Sequence, residues 1–236
     1  MGKNKKAVIT GGTRGIGLAI AKRLKQDGAE VLITGTSPHC PLEEDFQYYS
    51  VDFSSHELLE NFATFLQTYQ PDILVNNAGI NKINDFYDIK IEDFLLIQQI
   101  NTTSPFKLCQ AVLPAMRKNQ WGRIINITSV WSKISKKGRA SYSASKFGLD
   151  GMVAGLAAEV AEQGILVNCV SPGFIETDLL KETLGEQGIQ EIINHIPIKR
   201  LGKPEEVANL VAWLVSDENT YVSGQNLVID GGFTRV

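Results

Sequence analysis

Short apolar runs rich in β-branched residues alternate along this chain with longer amphipathic stretches. The runs are AVIT (7–10), EVLIT (30–34), DILV (72–75), RIINIT (123–128), ILVNCV (165–170) and NLVI (226–229), with a further strand at YYSV (48–51). Helical patterns lie between them, at about 15–27, 56–69, 91–118, 141–162 and 204–215. This order predicts βαβ crossovers and a mainly parallel sheet. Because the runs are apolar almost throughout, rather than on alternate residues, helices must cover both faces of that sheet. The expected fold class is α/β, a single doubly wound domain over residues 1–236. One crossover is thin: GTSPHCPLEEDFQ, with prolines at 38 and 41, leaves room only for a turn or one helical turn.

Composition asks for no other class. The 236 residues are 43% hydrophobic and 21% charged, enough for a sizeable core. A net charge of −3 gives no reason to expect nucleic acid or an anionic membrane as a partner. The opening MGKNKKAVIT is apolar for too few residues to make a signal sequence or a membrane span. It also lacks the Ser or Thr at its sixth position that an N-myristoylation signal carries. Cys40, Cys109 and Cys169 are odd in number and far apart, which reads as reduced thiols in a cytoplasmic protein. No ligand spacing joins them to His39, His56 or His195, so no metal site is expected.

TGGTRGIG (10–17) follows the first strand and opens the first helix, with glycines as Gly11-x3-Gly15-x-Gly17. Glycine permits positive φ and lets the backbone approach a pyrophosphate, which then sits at the positive end of a helix. A Gly-rich turn without a ligand has the same composition; the placement between strand and helix favours dinucleotide binding. A second feature, ASYSASK (140–146), sets Tyr142 one helical turn before Lys146 among small residues. An amphipathic helix surface would read the same way.

Together these stretches resemble the short-chain dehydrogenase/reductase family, over almost the whole chain. TGGTRGIG is similar to that family's cofactor loop, NNAG (76–79) to its motif after the fourth strand, and SPGFIET (171–177) to its nicotinamide-side loop. Within the family, PGFIETDL, RLGKPEEVANLVAWLVSD and GQNLVIDGG most resemble the 3-oxoacyl-acyl-carrier-protein reductases. The resemblance implies a Rossmann sheet, hydride exchange between a nicotinamide cofactor and a carbonyl, and a catalytic set of Asn101, Ser129, Tyr142 and Lys146. It places the cofactor against Gly11, Thr13, Arg14, Gly15, Ile16 and Gly17, against Thr36, Ser37, Asp52 and Phe53, and against Asn77, Ala78 and Gly79. Tyr142, Lys146, Pro172, Gly173, Ile175 and Thr177 complete that surface.

The chemistry of the set can be argued residue by residue. A free phenol titrates near 10, too high for acid–base work at neutral pH. A cation ~4 Å away at an effective dielectric near 20 is worth about 4 kcal/mol gross, roughly three pKa units before desolvation. Lys146, on the same helix face, is expected to supply that field to Tyr142. Ser129 ends a strand at the carboxyl edge, where its hydroxyl can donate to a substrate oxygen, though a serine there is also an ordinary turn residue. Asn101 lies four residues before Pro105, which has no N–H, so the Asn101 carbonyl loses its intrahelical partner. In the family the matching asparagine is thought to hold a water that relays protons from the lysine; a kinked packing helix is the plainer reading.

The cofactor is expected to be NADP(H). NAD-using members carry a carboxylate at the end of the second strand that binds the ribose and repels a 2′-phosphate. Here that position is Gly35, followed by Thr36 and Ser37, and Arg14 adds a cation suited to phosphate. The loop VWSKISKKGRAS (130–141) carries Lys133, Lys136, Lys137 and Arg139 beside the expected mouth, suited to an acidic carrier protein or a phosphate-bearing thioester, or else simply solvated. Against a carrier stand Gln120 and Gln163, neutral where the resembling reductases tend to be basic. The leading substrate class is a 3-oxoacyl thioester, with specificity in a substrate loop at about 174–196. The alternatives are a sugar, polyol or other secondary-alcohol dehydrogenase and, in another class, a non-catalytic nucleotide-sensing scaffold. The family implies a homotetramer. Apolar residues of the helices at 91–118 and 141–162, with VIDGGFTRV (228–236), would supply its interfaces or belong to the core.

Overall fold

A computed structural model describes residues 5–43 and 46–236, with backbone alone over 178–184. Most of the N-myristoylation motif, and two residues of the thin crossover, lie outside the described residues. The strands are β1 (Lys6–Ile9), β2 (Glu30–Gly35), β3 (Gln47–Ser50), β4 (Ile73–Asn76), β5 (Gly122–Ile127), β6 (Ile165–Pro172) and β7 (Asn226–Ile229). They form one parallel sheet in the order β3-β2-β1-β4-β5-β6-β7. The expected doubly wound sheet is what the chain forms. No helix among the described residues separates β2 from β3, as the two prolines require.

Alternation along each strand divides the core in two. From β1, Ala7 and Ile9 face a layer built on Ile20 and Leu24 of α1 (Gly15–Gln26) and Val207 and Val211 of α7 (Pro204–Leu214). Val8 faces the other layer, with Phe62 and Leu66 of α2 (His56–Tyr69), Leu108 and Val112 of α4 (Ser104–Asn119), and Val153 and Ala157 of α5 (Ala140–Val160). Every strand residue of β4 and β5 is buried, which is why these runs read as continuously apolar. Ser55 caps α2 by accepting from the Leu58 N–H at 3.3 Å. At α7, Glu206 accepts from the Lys203 N–H at 2.7 Å.

Two segments depart from expectation. The long helix expected over 91–118 is two, α3 (Ile91–Gln98) and α4, joined by a π-helical turn at Gln99–Thr103. Its hydrogen bonds reach one residue further than an α-helix allows, and Pro105 just beyond it lacks the N–H a regular ladder needs. The segment expected as a loop at 174–196 is largely helical: α6 spans Asp178–His195 and is broken at Gly185, with φ +62°. A bridge between Ile175 and Gly202 closes this excursion at its base. No helix among the described residues is long and apolar enough to cross a membrane.

Candidate active site

The β1–α1 turn and the end of β4 are neighbours because Ile9 pairs with Val75. Strand order reverses here, the place where open α/β sheets bind ligands. Gly11 and Gly15 have φ of +63° and +54°, which side chains disfavour. At Gly17 a Cβ would stand 2.3 Å from the Gly11 carbonyl oxygen and 2.5 Å from Asn77 Nδ2. The helix therefore meets the loop only because that side chain is missing. Asn77 donates to the Thr10 and Gly11 carbonyls at 2.9 and 3.0 Å, and Thr10 Oγ1 accepts from the Asn77 and Ala78 N–H groups. NNAG is thus locked to the glycine turn, with Thr13 and Ile16 half-buried and Arg14 exposed at the start of α1. This cradle fits a dinucleotide's diphosphate.

At the end of β2, a Cβ on Gly35 would meet Thr13 Cγ2 at 2.8 Å and the Tyr48 hydroxyl at 2.9 Å. Tyr48 is held there by donating to the Ser37 carbonyl at 2.5 Å. A carboxylate-bearing residue at 35 would have to displace it. Thr36 and Ser37 are exposed; Asp52 is exposed after β3, and Phe53 is buried against Phe62. On the opposite side Pro172 ends β6, Gly173 follows, and Thr177 reaches the glycine turn, its Cγ2 3.4 Å from a Cβ placed on Gly15. Ile175 is buried at the base of the α6 excursion.

The remaining residues converge between these two walls. Lys146 is buried, its Nζ donating to the Ile127 carbonyl at 2.9 Å and lying 5.6 Å from the Tyr142 ring centroid. A Cβ on Gly79 would stand 3.2 Å from Asn101 Oδ1 and 3.5 Å from Lys146 Nζ. Asn101 is fully buried; its side chain pairs with both backbone groups of Ile80 at 2.9 Å and donates to Ser145 Oγ at 3.0 Å. The π-turn thus presents Asn101 as a clamp joining NNAG to α5. Ser129 Oγ accepts from the Trp131 N–H at 3.3 Å, and its hydroxyl also pairs with the Tyr142 phenol. Beneath it, hydroxyls of Thr128, Ser171 and Ser132 join Asn226 in a buried network across β5, β6 and β7. Ser132 Oγ also donates to the Ser129 carbonyl at 2.7 Å, which fixes the strand end.

Burial is the largest influence on the Tyr142 phenol and pushes it up; a hydrogen bond with Ser129 and the charge of Arg139 pull it down. The Lys146 ammonium lies 5.6 Å from the Tyr142 ring centroid. It points at the Ile127 carbonyl, and burial lowers its own pKa to about 8.

Arg139 escaped the sequence reading as a site residue, although standing three positions before Tyr142 places it on the same helical face. An aromatic wall was missed as well. Trp131 packs edge-on against Phe174 and Phe233, with centroids 6.4 and 6.3 Å away, and the three side chains come from the segments after β5, β6 and β7. Nothing local in sequence links them. The basic loop is less available than its composition suggests: Lys133 pairs with Asp150 and Lys137 with Asp85, both at 3.2 Å. Lys136 lies over the Trp131 ring, 5.4 Å from its centroid. Gln120 and Gln163 precede the paired starts of β5 and β6, at the edge of the sheet opposite Ser129 and Tyr142.

Comparison with known proteins agrees with this geometry. The family pattern described as enoyl-(acyl carrier protein) reductase matches residues 11–234. The chain is 39% identical to the 3-oxoacyl-[acyl-carrier-protein] reductase FabG of Vibrio cholerae, over 99% of both chains. It is 37% identical to the acetoacetyl-CoA reductase of Cupriavidus necator, over 96% of both. Among solved structures, a chain from Agrobacterium tumefaciens assigned as a gluconate dehydrogenase superposes with a TM-score of 0.92 at 30% identity, covering 99% of this chain and 97% of that one. A Beutenbergia cavernae chain assigned as an NAD(P)-dependent gluconate 5-dehydrogenase, with NADP bound at low occupancy, gives 0.91 at 30%, covering 99% and 98%. With this sheet, this glycine cradle and these relatives, the chain belongs to the short-chain dehydrogenase/reductase family of oxidoreductases, which act on CH–OH groups with a nicotinamide cofactor.

Proposed function

We propose that the protein is an NADP(H)-dependent reductase of 3-oxoacyl thioesters, with Tyr142 as general acid. The observation that carries this reading is the convergence of Ser129, Tyr142, Lys146 and Asn101 beside the glycine cradle, at the carboxyl edge of the sheet. When bound, the nicotinamide supplies the hydride. Ser129, its oxygen already accepting from Trp131, donates to the substrate carbonyl and orients it. Tyr142 gives its proton to that oxygen as charge develops there. Lys146 holds the cofactor ribose, and the Asn101 backbone carbonyl, at the π-turn before Pro105, holds the water through which the proton is replaced.

Support for NADP(H) comes from Gly35, where a Cβ meets Thr13 and Tyr48, and from the exposed Arg14, Thr36 and Ser37. NADP in the Beutenbergia cavernae neighbour agrees. Both similar reductases are named for 3-oxoacyl thioesters, and the Trp131–Phe174–Phe233 wall offers an apolar surface for an acyl chain. A second reading, oxidation of a sugar acid or polyol, is favoured by the two gluconate dehydrogenase neighbours, at lower identity. A homotetramer is supported by two separate exposed apolar surfaces. One gathers Ile91, Leu95, Phe106 and Phe147 on α3, α4 and α5, and the other Trp213, Tyr221 and Val228 by the edge strand β7.

The deciding experiment assays acetoacetyl coenzyme A, gluconate and a polyol panel with NADP(H) and NAD(H), for the wild type and Tyr142→Phe. Thioester reduction with NADPH preferred at least about tenfold is expected, and Tyr142→Phe should lose at least about a hundredfold in kcat while binding NADPH normally. Equal use of NADH, or a Phe variant keeping a tenth of the rate, would overturn the respective assignment.

A further inference from the structure

A cavity of about 540 Å³ opens beside the active site, and the reaction derived above gives it no task. Its size falls within the range of about 300–1,000 Å³ in which small-molecule sites occur. One wall is Asp85, Phe86 and Tyr87, after β4; the other is Lys136, Lys137 and Ala140, where the chain enters α5. Ala140 is the first residue of α5 and stands two before Tyr142, so the cavity adjoins the catalytic phenol. The walls are tied to each other and to the scaffold. Lys137 pairs with Asp85 at 3.2 Å, a Cβ on Gly138 would meet Ile83 Cγ2 at 3.0 Å, and Ser135 Oγ bonds Ser143 Oγ of α5 at 2.8 Å. Phe86 and Tyr87 are 80% and 84% exposed. Single exposed aromatics are common, but two side by side at a cavity mark a binding surface. Lys136 is exposed as well, and among the described residues no carboxylate pairs with it.

This lining selects a ligand with three parts. It needs a flat π-face for Phe86 and Tyr87, an anion for the lysines, and an arm that leads past Ala140 to Tyr142. A nucleotide supplies the first two, because every base stacks on aromatic side chains and its phosphates attract cations. Coenzyme A supplies all three, since a flexible pantetheine arm joins its thioester to a phosphorylated adenosine diphosphate and can fold along the cavity. The prosthetic arm of an acyl carrier protein ends in one phosphodiester and has no base. We propose that this cavity binds the nucleotide end of coenzyme A, with adenine against Phe86 and Tyr87 and phosphates beside Lys136 and Lys137, so that the substrate is a coenzyme A thioester. This rests on the reductase reading and adds to it the group that carries the acyl chain. Asp85 is the one carboxylate in the lining. Its bridge to Lys137 lies at the surface, where such pairs are weak, so a phosphate competes for the lysine.

The test compares wild type with the double variant Phe86→Ser, Tyr87→Ser and with Lys136→Ala. The substrates are acetoacetyl coenzyme A and acetoacetyl-N-acetylcysteamine, which keeps the thioester and has no nucleotide. The double variant should raise KM for acetoacetyl coenzyme A about fivefold to a hundredfold, the worth of one stacked base, with kcat little changed. Lys136→Ala should raise it about twofold to fivefold at low salt and less at high salt. For the cysteamine thioester, kcat/KM should stay within about twofold in every variant. Equal losses on both thioesters, or none, overturn the proposal. An acetoacetyl carrier protein that loses as much as the coenzyme A thioester would also overturn it, since that substrate has no base to stack. Calorimetry with adenosine 3′,5′-bisphosphate, in saturating NADP+ so that the cofactor site is filled, reads the cavity without turnover. Binding that weakens in the double variant is expected; no binding, or unchanged affinity, overturns the proposal. A wild type that binds the bisphosphate but reduces neither thioester overturns the reductase reading instead. Light scattering covers a second copy as occupant: a double variant that loses subunits with KM unchanged makes the aromatic pair an interface and overturns the site. Thermal melts exclude misfolding, and Phe86→Leu with Tyr87→Leu, which keep apolar bulk but cannot stack, serve if the serine variant fails to fold.

Discussion

Replacing Lys146 by methionine is expected to stabilise the protein at pH 7 while removing its activity. The ammonium is 4% exposed, and burial lowers its pKa from 10.5 to about 8. At about 1.4 kcal/mol per unit, that depression is a native-state penalty of about 3 kcal/mol. The penalty is complete below pH 8, where the lysine is protonated both folded and unfolded. From pH 8 to 10.5 the unfolded chain still holds a proton that the folded one has released, so stability rises with pH and the penalty fades. Methionine has similar length and no charge, but it leaves the Ile127 carbonyl without its 2.9 Å charged donor, a loss of about 2 kcal/mol. The variant should therefore be more stable by about 1 kcal/mol at pH 7, and slightly less stable than wild type at pH 9.5. Urea titrations at both pH values, without nucleotide and at one fixed protein concentration, measure this. A variant less stable than wild type at pH 7, or a difference that ignores pH, would show that the buried lysine is not under this strain.

Gly17→Ala should lower stability by about 1–3 kcal/mol and weaken NADPH binding, because its Cβ would press on the Gly11 carbonyl and on Asn77, which ties the two cofactor loops together. Denaturant midpoints and nucleotide titration of the variant check both effects. Light scattering at micromolar concentration is expected to report a tetramer, and Phe106→Glu with Phe147→Glu should reduce it to dimers or monomers by charging one of the exposed apolar surfaces. A wild-type monomer would refute that reading.

Much of this molecule follows from local pattern. Continuous β-branched runs predict strands buried on both faces because a sheet covered by two helical layers leaves no polar side; all six runs form strands, and all but the edge strand β7 are mainly buried. The glycine turn was legible because positive φ and a vanishing side chain are properties of the residue itself, as at Gly11 and Gly17. Tyr142 and Lys146 were legible as a pair because helical spacing alone brings them to one face. Charge state and partnership were not legible. The Lys146 pKa is lowered because the surrounding core removes the ammonium from water, and burial likewise pushes the Tyr142 phenol up. Lys133 and Lys137 look free in the sequence, but Asp150 and Asp85 arrive from other segments to pair with them. Asn101 reads as a kink beside a proline, whereas folding supplies the Ile80 backbone that turns it into a clamp. Local backbone geometry depends on neighbours a few residues away, while desolvation and ion pairing depend on groups that only the tertiary structure brings together.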